Sequence, residues 1–306
     1  MYFEGRIPNY DKYPTICIKG HKGKSWQGYE SIVQEIKRRI TKENTILVID
    51  VYYGADMNAI YDHIITPLNP ATVIDSAEAV YSEDVLYEIL KRNITEDRVF
   101  GSFSTHTLED CMDPKILADL KEKARGTKGL VIVYGVGASM ITKGNLHLYI
   151  DMKRWEIQLR YRNGLPNWGA SNAVDDILRK FKRGYFVEWR ILDRHKFKVL
   201  PQCDYILDLN VTEQPKMTTI EVFNDVMKEF SSRPFRLVPY FDEGIWGGRW
   251  MEEVCDLKRI KFNYAWCFDG VPEENSIRAN VDGVTLEFPA MDLVKMKPKA
   301  LLGPKV

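Results

Sequence analysis

Short apolar runs alternate with amphipathic stretches along residues 15–210. The apolar runs predict strands over 15–19, 45–50, 130–134, 146–151 and 205–209. The amphipathic stretches predict helices over 29–40, 83–92, 114–125 and 173–194, with Asp113 placed to cap the third. Strands that are apolar throughout are buried on both faces, and strands that alternate with helices form parallel sheets. The pattern predicts an α/β fold with a parallel sheet of at least five strands and helices on both faces.

The pattern changes after one more predicted helix, over residues 218–230. Residues 231–234 (SSRP) have the composition of a linker, and the segment beyond them shows turn signals instead of helical periodicity. Residues 281–288 predict a hairpin around Asp282-Gly283. We therefore expect an α/β domain over residues 1–230 and a short antiparallel β region over residues 231–306.

Charge and composition narrow the classes of partner. The 306 residues contain 43 basic and 43 acidic side chains, and this balance argues against nucleic acid or a membrane surface as a partner. Residues 151–200 are locally basic, with twelve Lys/Arg against six Asp/Glu. Such a segment indicates either a bound phosphorylated small molecule or nucleotide, or a solvated helical face.

The sequence also bears on compartment and on metals. No apolar run approaches the roughly 20 residues of a membrane span, and residues 1–6 lack a signal peptide's apolar core. The five cysteines are widely spaced without a C-x-x-C pair, so we expect a cytoplasmic protein with no disulfide framework and no structural zinc.

A glycine-containing segment between the first predicted strand and helix is a candidate phosphate loop. Gly20, Gly23, Lys24 and Ser25 follow the G-x-x-x-x-G-K-[ST] pattern with two residues missing. In an ungapped alignment the lysine and hydroxyl positions fall on Trp26 and Gln27. Either a shortened loop uses Lys24 and Ser25, or the loop is degenerate, and we favour the second interpretation.

Several further segments resemble the uridine kinase and phosphoribulokinase group of P-loop kinases. They are Asp50-Val51-Tyr52-Tyr53, Thr105-His106, Gly129–Gly135, the stretch with Arg160 and Arg162, and Cys203-Asp204-Tyr205-Ile206. The resemblance implies ATP and magnesium as cofactors, Asp50 as the base on the acceptor hydroxyl, and the two arginines on the transferring phosphoryl group. Tyr134 stands where the family has a glutamate, and Gly101-Ser102 replace its Tyr-Asp.

Residues 235–306 resemble the opening of type I mannose-6-phosphate isomerases. The resemblance rests on 239–248 (PYFDEGIWGG), 264–266 (YAW) and 300–303 (ALLG). That family uses zinc to isomerise an aldose phosphate in a cupin barrel. No histidine follows His195, so this β region cannot supply a histidine-based zinc site, and zinc is expected only in a longer form with the barrel.

Three hypotheses follow. The chain is the front portion of a mannose-6-phosphate isomerase-like protein with a degenerate kinase-like domain, inactive as an isomerase without the barrel. Alternatively, it is an active small-molecule kinase that uses Lys24, Ser25 and Asp50. As a third possibility, it is a non-catalytic module that binds a nucleotide or sugar phosphate. The oligomeric state stays open.

Overall fold

The computed structural model describes residues 13–232, 238 and 274–296. Two compact units make up the chain. The α/β unit comprises Ser25–Met152 and Glu156–Phe223, and the small-sheet unit comprises Met1–Lys24, Lys153–Trp155 and Asn224–Val306. The division differs from the expected boundary at residue 230, because the first strand, β1 (Thr15–Ile18), pairs with a strand near the C-terminal end of the chain.

A seven-stranded sheet forms the centre of the α/β unit. Its strands are β2 (Ser25–Gln27), β3 (Thr45–Val51), β4 (Thr72–Asp75), β5 (Leu130–Gly135), β6 (Leu146–Asp151), β7 (Tyr205–Asp208) and β8 (Lys216–Thr219). They lie in the order β2-β8-β7-β6-β3-β5-β4. The five strands from β7 to β4 are parallel, which confirms the expected parallel core. The expectation of a purely parallel sheet that includes 15–19 is wrong, because β8 and β2 run antiparallel and β1 lies in another sheet.

The α-helices between residues 29 and 231 include every predicted helix, with the predicted helix over 173–194 divided in two by a π-helical turn. They are α1 (Tyr29–Arg39), α2 (Met57–Ile60), α3 (Thr66–Leu68), α4 (Glu83–Ile94), α5 (Pro114–Gly126), α6 (Ala138–Ile141), α7 (Arg154–Arg162), α8 (Ile177–Arg183), α9 (Trp189–Val199) and α10 (Ile220–Ser231). A π-helical turn joins α2 to α3, and another joins α8 to α9. The carboxylate of Asp113 accepts from the N–H groups of Lys115 and Ile116, which confirms the predicted cap of α5.

One face of the central sheet carries the packing that positions the candidate site. Val48 of β3 and Val133 of β5 are fully buried there against α5 and α6. Side chains alternate along a strand, and paired residues of parallel strands share a face. Asp50 of β3 therefore lies on this face, together with His147 of β6, which pairs with Val48.

A three-stranded sheet lies in the described part of the small-sheet unit. Strand β1 pairs in parallel with β9 (Ser276–Val281), which forms a hairpin with β10 (Val284–Pro289), and α11 (Ala290–Met296) follows. Asp282 and Gly283 have φ angles of 50° and 86°, as a type I′ turn requires, so the predicted hairpin is confirmed.

The described residues do not include the segments of the isomerase resemblance, but they do bear on membrane spans. The three motifs of the isomerase resemblance, at 239–248, 264–266 and 300–303, lie outside them, so the cupin-type region stays a prediction. Within 13–232 and 274–296, no helix has both the length and the apolar character that crossing a membrane would require.

Candidate functional site

The turn that is the candidate phosphate loop already holds a carboxylate of the chain itself. Gly20, Gly23 and Lys24 lie in the turn that follows β1, in the small-sheet unit. The N–H of Gly23 donates to the carboxylate of Asp282 over 2.7 Å, and His21 lies 3.0 Å from the carboxylate of Asp225. A backbone N–H engaged in this way is not available to a phosphate oxygen.

The residue after this turn begins a strand instead of a helix. Ser25 is the first residue of β2, and its hydroxyl lies 3.1 Å from the hydroxyl of Thr218 in β8. A phosphate loop needs the N-terminus of a helix directly behind it, because the helix supplies N–H groups and positive potential. Here β2 separates the turn from α1, so the strand–loop–helix arrangement predicted from the sequence is absent from these residues.

The two candidate arginines have partners within the α/β unit. Arg160 donates to the carbonyl oxygens of Gly54 (2.8 Å), Leu209 (3.4 Å) and Asn210 (3.3 Å) and to the hydroxyl of Thr212 (3.2 Å). The guanidinium of Arg162 lies over the ring of Phe181, 5.1 Å from its centroid. Arg160 therefore ties the loop after β3 to the loop after β7, which is a structural role.

The same loops surround the place where an α/β sheet usually binds its ligand. The chain leaves β3 toward β4 on one side and leaves β6 toward β7 on the other, so the strand order reverses between β3 and β6. At the end of β3, Gly54 has a φ of 114°, and a Cβ there would lie 2.8 Å from Cγ1 of Ile157 in α7. Helix α7 thus packs directly on the loop that follows β3.

Asp50 is the centre of a buried polar cluster on the sheet face described above. Its carboxylate is fully buried and accepts from Nε2 of His147 over 2.8 Å and from Nε2 of His195 over 3.1 Å. The N–H of Ser139 approaches the same carboxylate at 3.3 Å. Strand β3 supplies the carboxylate, β6 and α9 supply the imidazoles, and α6 supplies the backbone donor.

These contacts determine the charge of Asp50 and the tautomers of its partners. Burial by itself would raise the pKa of Asp50, but hydrogen bonds from the two histidines and their charges lower it below its ordinary value. An ionised carboxylate only accepts hydrogen bonds, so Nε2 of each ring carries a proton. Nδ1 is then the nitrogen of each ring that does not contact Asp50. A base must contact the substrate hydroxyl directly. Asp50 is buried, so it would act on a ligand only through the two imidazole rings.

Ser139, His195 and Asp50 do not form a nucleophilic triad. The hydroxyl of Ser139 lies 3.4 Å from Nε2 of His195, which is the same nitrogen that contacts Asp50. A triad needs the hydroxyl on one ring nitrogen and the carboxylate on the other, so that the ring can accept the serine proton. The arrangement instead orients His147 and His195 as polar groups at a cavity wall.

A large cavity opens beside this cluster, between α5, α6 and α9. Its volume is about 1090 Å³, slightly above the roughly 300–1,000 Å³ of most small-molecule sites, and His147, His195 and Ser139 line it. Four basic and two acidic side chains also line it: Lys121, Arg125, Lys143, Lys198, Glu109 and Glu122. Lys198 and Glu109 form an ion pair of 2.6 Å, which leaves an excess of basic groups.

A smaller cavity of about 470 Å³ shares part of this lining. Lys121, Arg125 and Lys143 line both cavities, and no described acidic side chain lines the smaller one. Within 13–232 and 274–296, no ion pair joins any of these three to a carboxylate, and all three are exposed. The three side chains, which we call the basic triplet, make this border of the two cavities a candidate anion site.

The sequence predicts one residue of this site. Asp50 was predicted as a functional carboxylate, whereas His147, His195 and the basic triplet were not. Their spacing in the sequence does not predict this site, because β6 and α9 lie next to Asp50 only once the strands have taken their order in the sheet. The local sequence offers one indication: the apolar run 146–151 contains a polar residue, His147, four residues before Asp151. Among the residues that the structure describes, no group of three or more His, Cys, Asp or Glu is arranged to hold a metal ion.

Two solved structures show a distant similarity to the chain, and both are kinases. A phosphoribulokinase from Rhodobacter spheroides is 13% identical, with 55% of this chain and 71% of that chain covered and a TM-score of 0.32. A shikimate kinase from Bacteroides thetaiotaomicron is 14% identical, with 61% and 98% covered and a TM-score of 0.30. Similarities this low carry no inference about function. No curated protein matches the chain.

A family model matches the α/β unit along nearly its whole length. The match runs from residue 28 to residue 232, which is more than half of the chain, and so includes Asp50, both histidines and the basic triplet. The chain belongs to the family described as Domain of unknown function (DUF8485).

Proposed function

We propose that the α/β unit binds a phosphorylated small molecule in the paired cavities, without transferring its phosphoryl group. The observation that carries this proposal is the basic triplet, Lys121, Arg125 and Lys143, at the border of two cavities. None of the three cations is paired with a carboxylate among the described residues, and a phosphate group has the charge to pair with them.

The charges on α5 favour a bound anion on balance. Lys121 and Arg125 are four residues apart on the helix, so they share a face and repel each other by about 0.2–0.5 kcal/mol. An anion between them removes that repulsion. The C-terminal end of α5 opposes the anion by roughly 0.3–1 kcal/mol. Each charge-assisted hydrogen bond contributes about 1.5–3 kcal/mol, so two such bonds outweigh the effect of the helix end.

A kinase is the less favoured function because groups predicted to bind its cofactor have other partners. Gly23 binds Asp282, Ser25 contacts Thr218, and Arg160 bonds to backbone carbonyls. Phosphoryl transfer depends on groups that position and neutralise the phosphates, and these groups would have to break their present contacts first.

Calorimetric titration of the full chain tests the proposal. Inorganic pyrophosphate and AMP are the probes, and the variant K121A/R125A/K143A removes the basic triplet. Loss of two charge-assisted bonds should weaken binding by about 10²-fold or more. The control K115A/K123A/K128A removes three exposed lysines on or next to α5 that line neither cavity.

The control should bind both probes with affinity close to that of the wild type. If the two variants weaken binding equally, the interaction reflects general positive charge and the proposal is wrong. Absence of binding of both probes to the wild type would also contradict it.

A further inference from the structure

The two cavities of the α/β unit meet along one set of residues. Lys121, Arg125, Ser139, Met140, Lys143 and Gly144 line both of them. The three cations therefore lie along the border, with about 1090 Å³ of space on one side and about 470 Å³ on the other. An anion held there would have room for a substituent on each side.

We infer that the ligand carries its phosphate in the middle, as a phosphodiester or a diphosphate that joins two organic groups. This inference rests on the proposed function and specifies its ligand class. A phosphomonoester at the border would fill one cavity and leave the other to water. A bridged ligand fills both, and linking two binding groups raises the affinity above that of either group alone.

The linings indicate which group enters which cavity. His147, His195 and the carboxylate of Glu122 line the larger cavity only, together with apolar Leu117 and Val199. This combination suits a nucleoside, which offers a flat ring and several hydrogen-bonding groups. The smaller cavity is lined by Ile46, Thr142 and Asn145 and has room for a single sugar-sized group.

Binding of ADP-ribose compared with its two halves tests the inference. ADP-ribose joins adenosine and ribose through a diphosphate, while AMP and ribose 5-phosphate each carry one terminal phosphate. Calorimetric titrations of the full chain should show ADP-ribose binding at least about tenfold more tightly than either half. If ADP-ribose binds no more tightly than the better half, the ligand is not bridged and the inference is wrong.

Two variants assign the halves to their cavities. Thr142 lines only the smaller cavity and Ala118 only the larger one. Thr142→Phe should abolish the advantage of ADP-ribose and leave AMP binding within about threefold of the wild type. Ala118→Phe should weaken AMP and ADP-ribose together. Equal weakening of AMP and ADP-ribose by Thr142→Phe would overturn the two-cavity assignment.

The outcomes separate the inference from the proposed function. If pyrophosphate and AMP bind through the basic triplet but ADP-ribose gains nothing, the anion site stands and the bridged ligand is rejected. If neither pyrophosphate nor AMP binds, the proposed function fails, and the inference fails with it.

Discussion

Asp50 lies near the end of an apolar strand and meets three hydrogen-bond donors there. The donors are Nε2–H of His147, Nε2–H of His195 and the N–H of Ser139. A buried carboxylate with this many donors stays ionised, and in turn it fixes the orientation of both imidazoles. The charge of Asp50 therefore organises the wall of the larger cavity.

The substitution Asp50→Asn should destabilise the protein. An asparagine side chain has one accepting oxygen, and its amide group would face an imidazole N–H, which leaves buried donors unsatisfied. The expected loss in the free energy of unfolding is about 1–3 kcal/mol at pH 7, measured by urea denaturation. Asp119→Asn, at an exposed position of α5, should change stability by less than about 0.5 kcal/mol.

The pH dependence of stability in the wild type and in Asp50→Asn shows whether the charge of Asp50 causes this loss of stability. The folded-state pKa of Asp50 lies below 3.8, its ordinary value, so its ionisation stabilises the fold above that pH. That contribution is lost as the pH falls below 3.8 toward the folded-state pKa. The stability gap between wild type and Asp50→Asn should therefore narrow in acid. A gap that is constant from pH 7 to pH 3 would mean that ionisation of Asp50 does not stabilise the fold.

At the scale of elements, α7 packs directly on the loop after β3. The contact depends on Gly54, whose φ of 114° is open mainly to glycine, and on the fully buried Ile157. Arg160, one helical turn later, donates to the carbonyl of Gly54. The glycine and the arginine together hold α7 against the loop.

Gly54→Ala should therefore destabilise the α/β unit. The added methyl group would lie 2.8 Å from Cγ1 of Ile157, and the backbone angle is strained for alanine, so the expected cost is about 1–3 kcal/mol. Gly126→Ala is the matched control, because a Cβ there meets nothing within 4 Å and no positive φ is involved. Thermal denaturation of the two variants measures the difference. Equal melting temperatures would show that α7 tolerates displacement from this loop.

The elements that the sequence predicted are the long, strongly periodic ones. Helices α1 and α5 and strands β3, β5 and β6 appear close to their predicted bounds, because their hydrophobic pattern and their burial agree. Strand β4 was not predicted: of its four residues only Ile74 is buried, so its apolar pattern is weak. The placement of β1 was missed, because a local pattern identifies a strand but not its partner.

The same limit applies to the candidate site. The position of Asp50 at a strand end was visible in the sequence, but His147 and His195 lie 97 and 145 residues away from it. The basic triplet combines α5 with the segment before β6, and its charges look like an ordinary exposed helix face until the fold brings them together. The phosphate-loop interpretation had the opposite weakness: its residues are close in sequence, but β2 follows them where a helix is required.

At the scale of the whole molecule, the paired cavities do not lie at the usual ligand position of a parallel sheet. That position is at the carboxyl ends of the strands, whereas the cavities are lined in part by the segment before β6. Within the described residues of the α/β unit, five parallel strands carry the sheet, while α7 packs on the loop at the usual ligand position. The paired cavities lie beside the face of the sheet that holds Asp50. We propose that a phosphorylated ligand binds at those cavities.

The NMR signal of the Met140 methyl group tests this claim most directly. Met140 lines both cavities, and Met227, fully buried in α10, serves as an internal reference among the ten methionines. Labelled methionine methyl groups are followed during titration with pyrophosphate, and Met140→Leu assigns the signal. We predict a saturable shift of Met140 with Met227 unchanged, and no shift in K121A/R125A/K143A. Saturable binding that shifts other methionines and leaves Met140 unmoved, or no shift at all, would contradict the account.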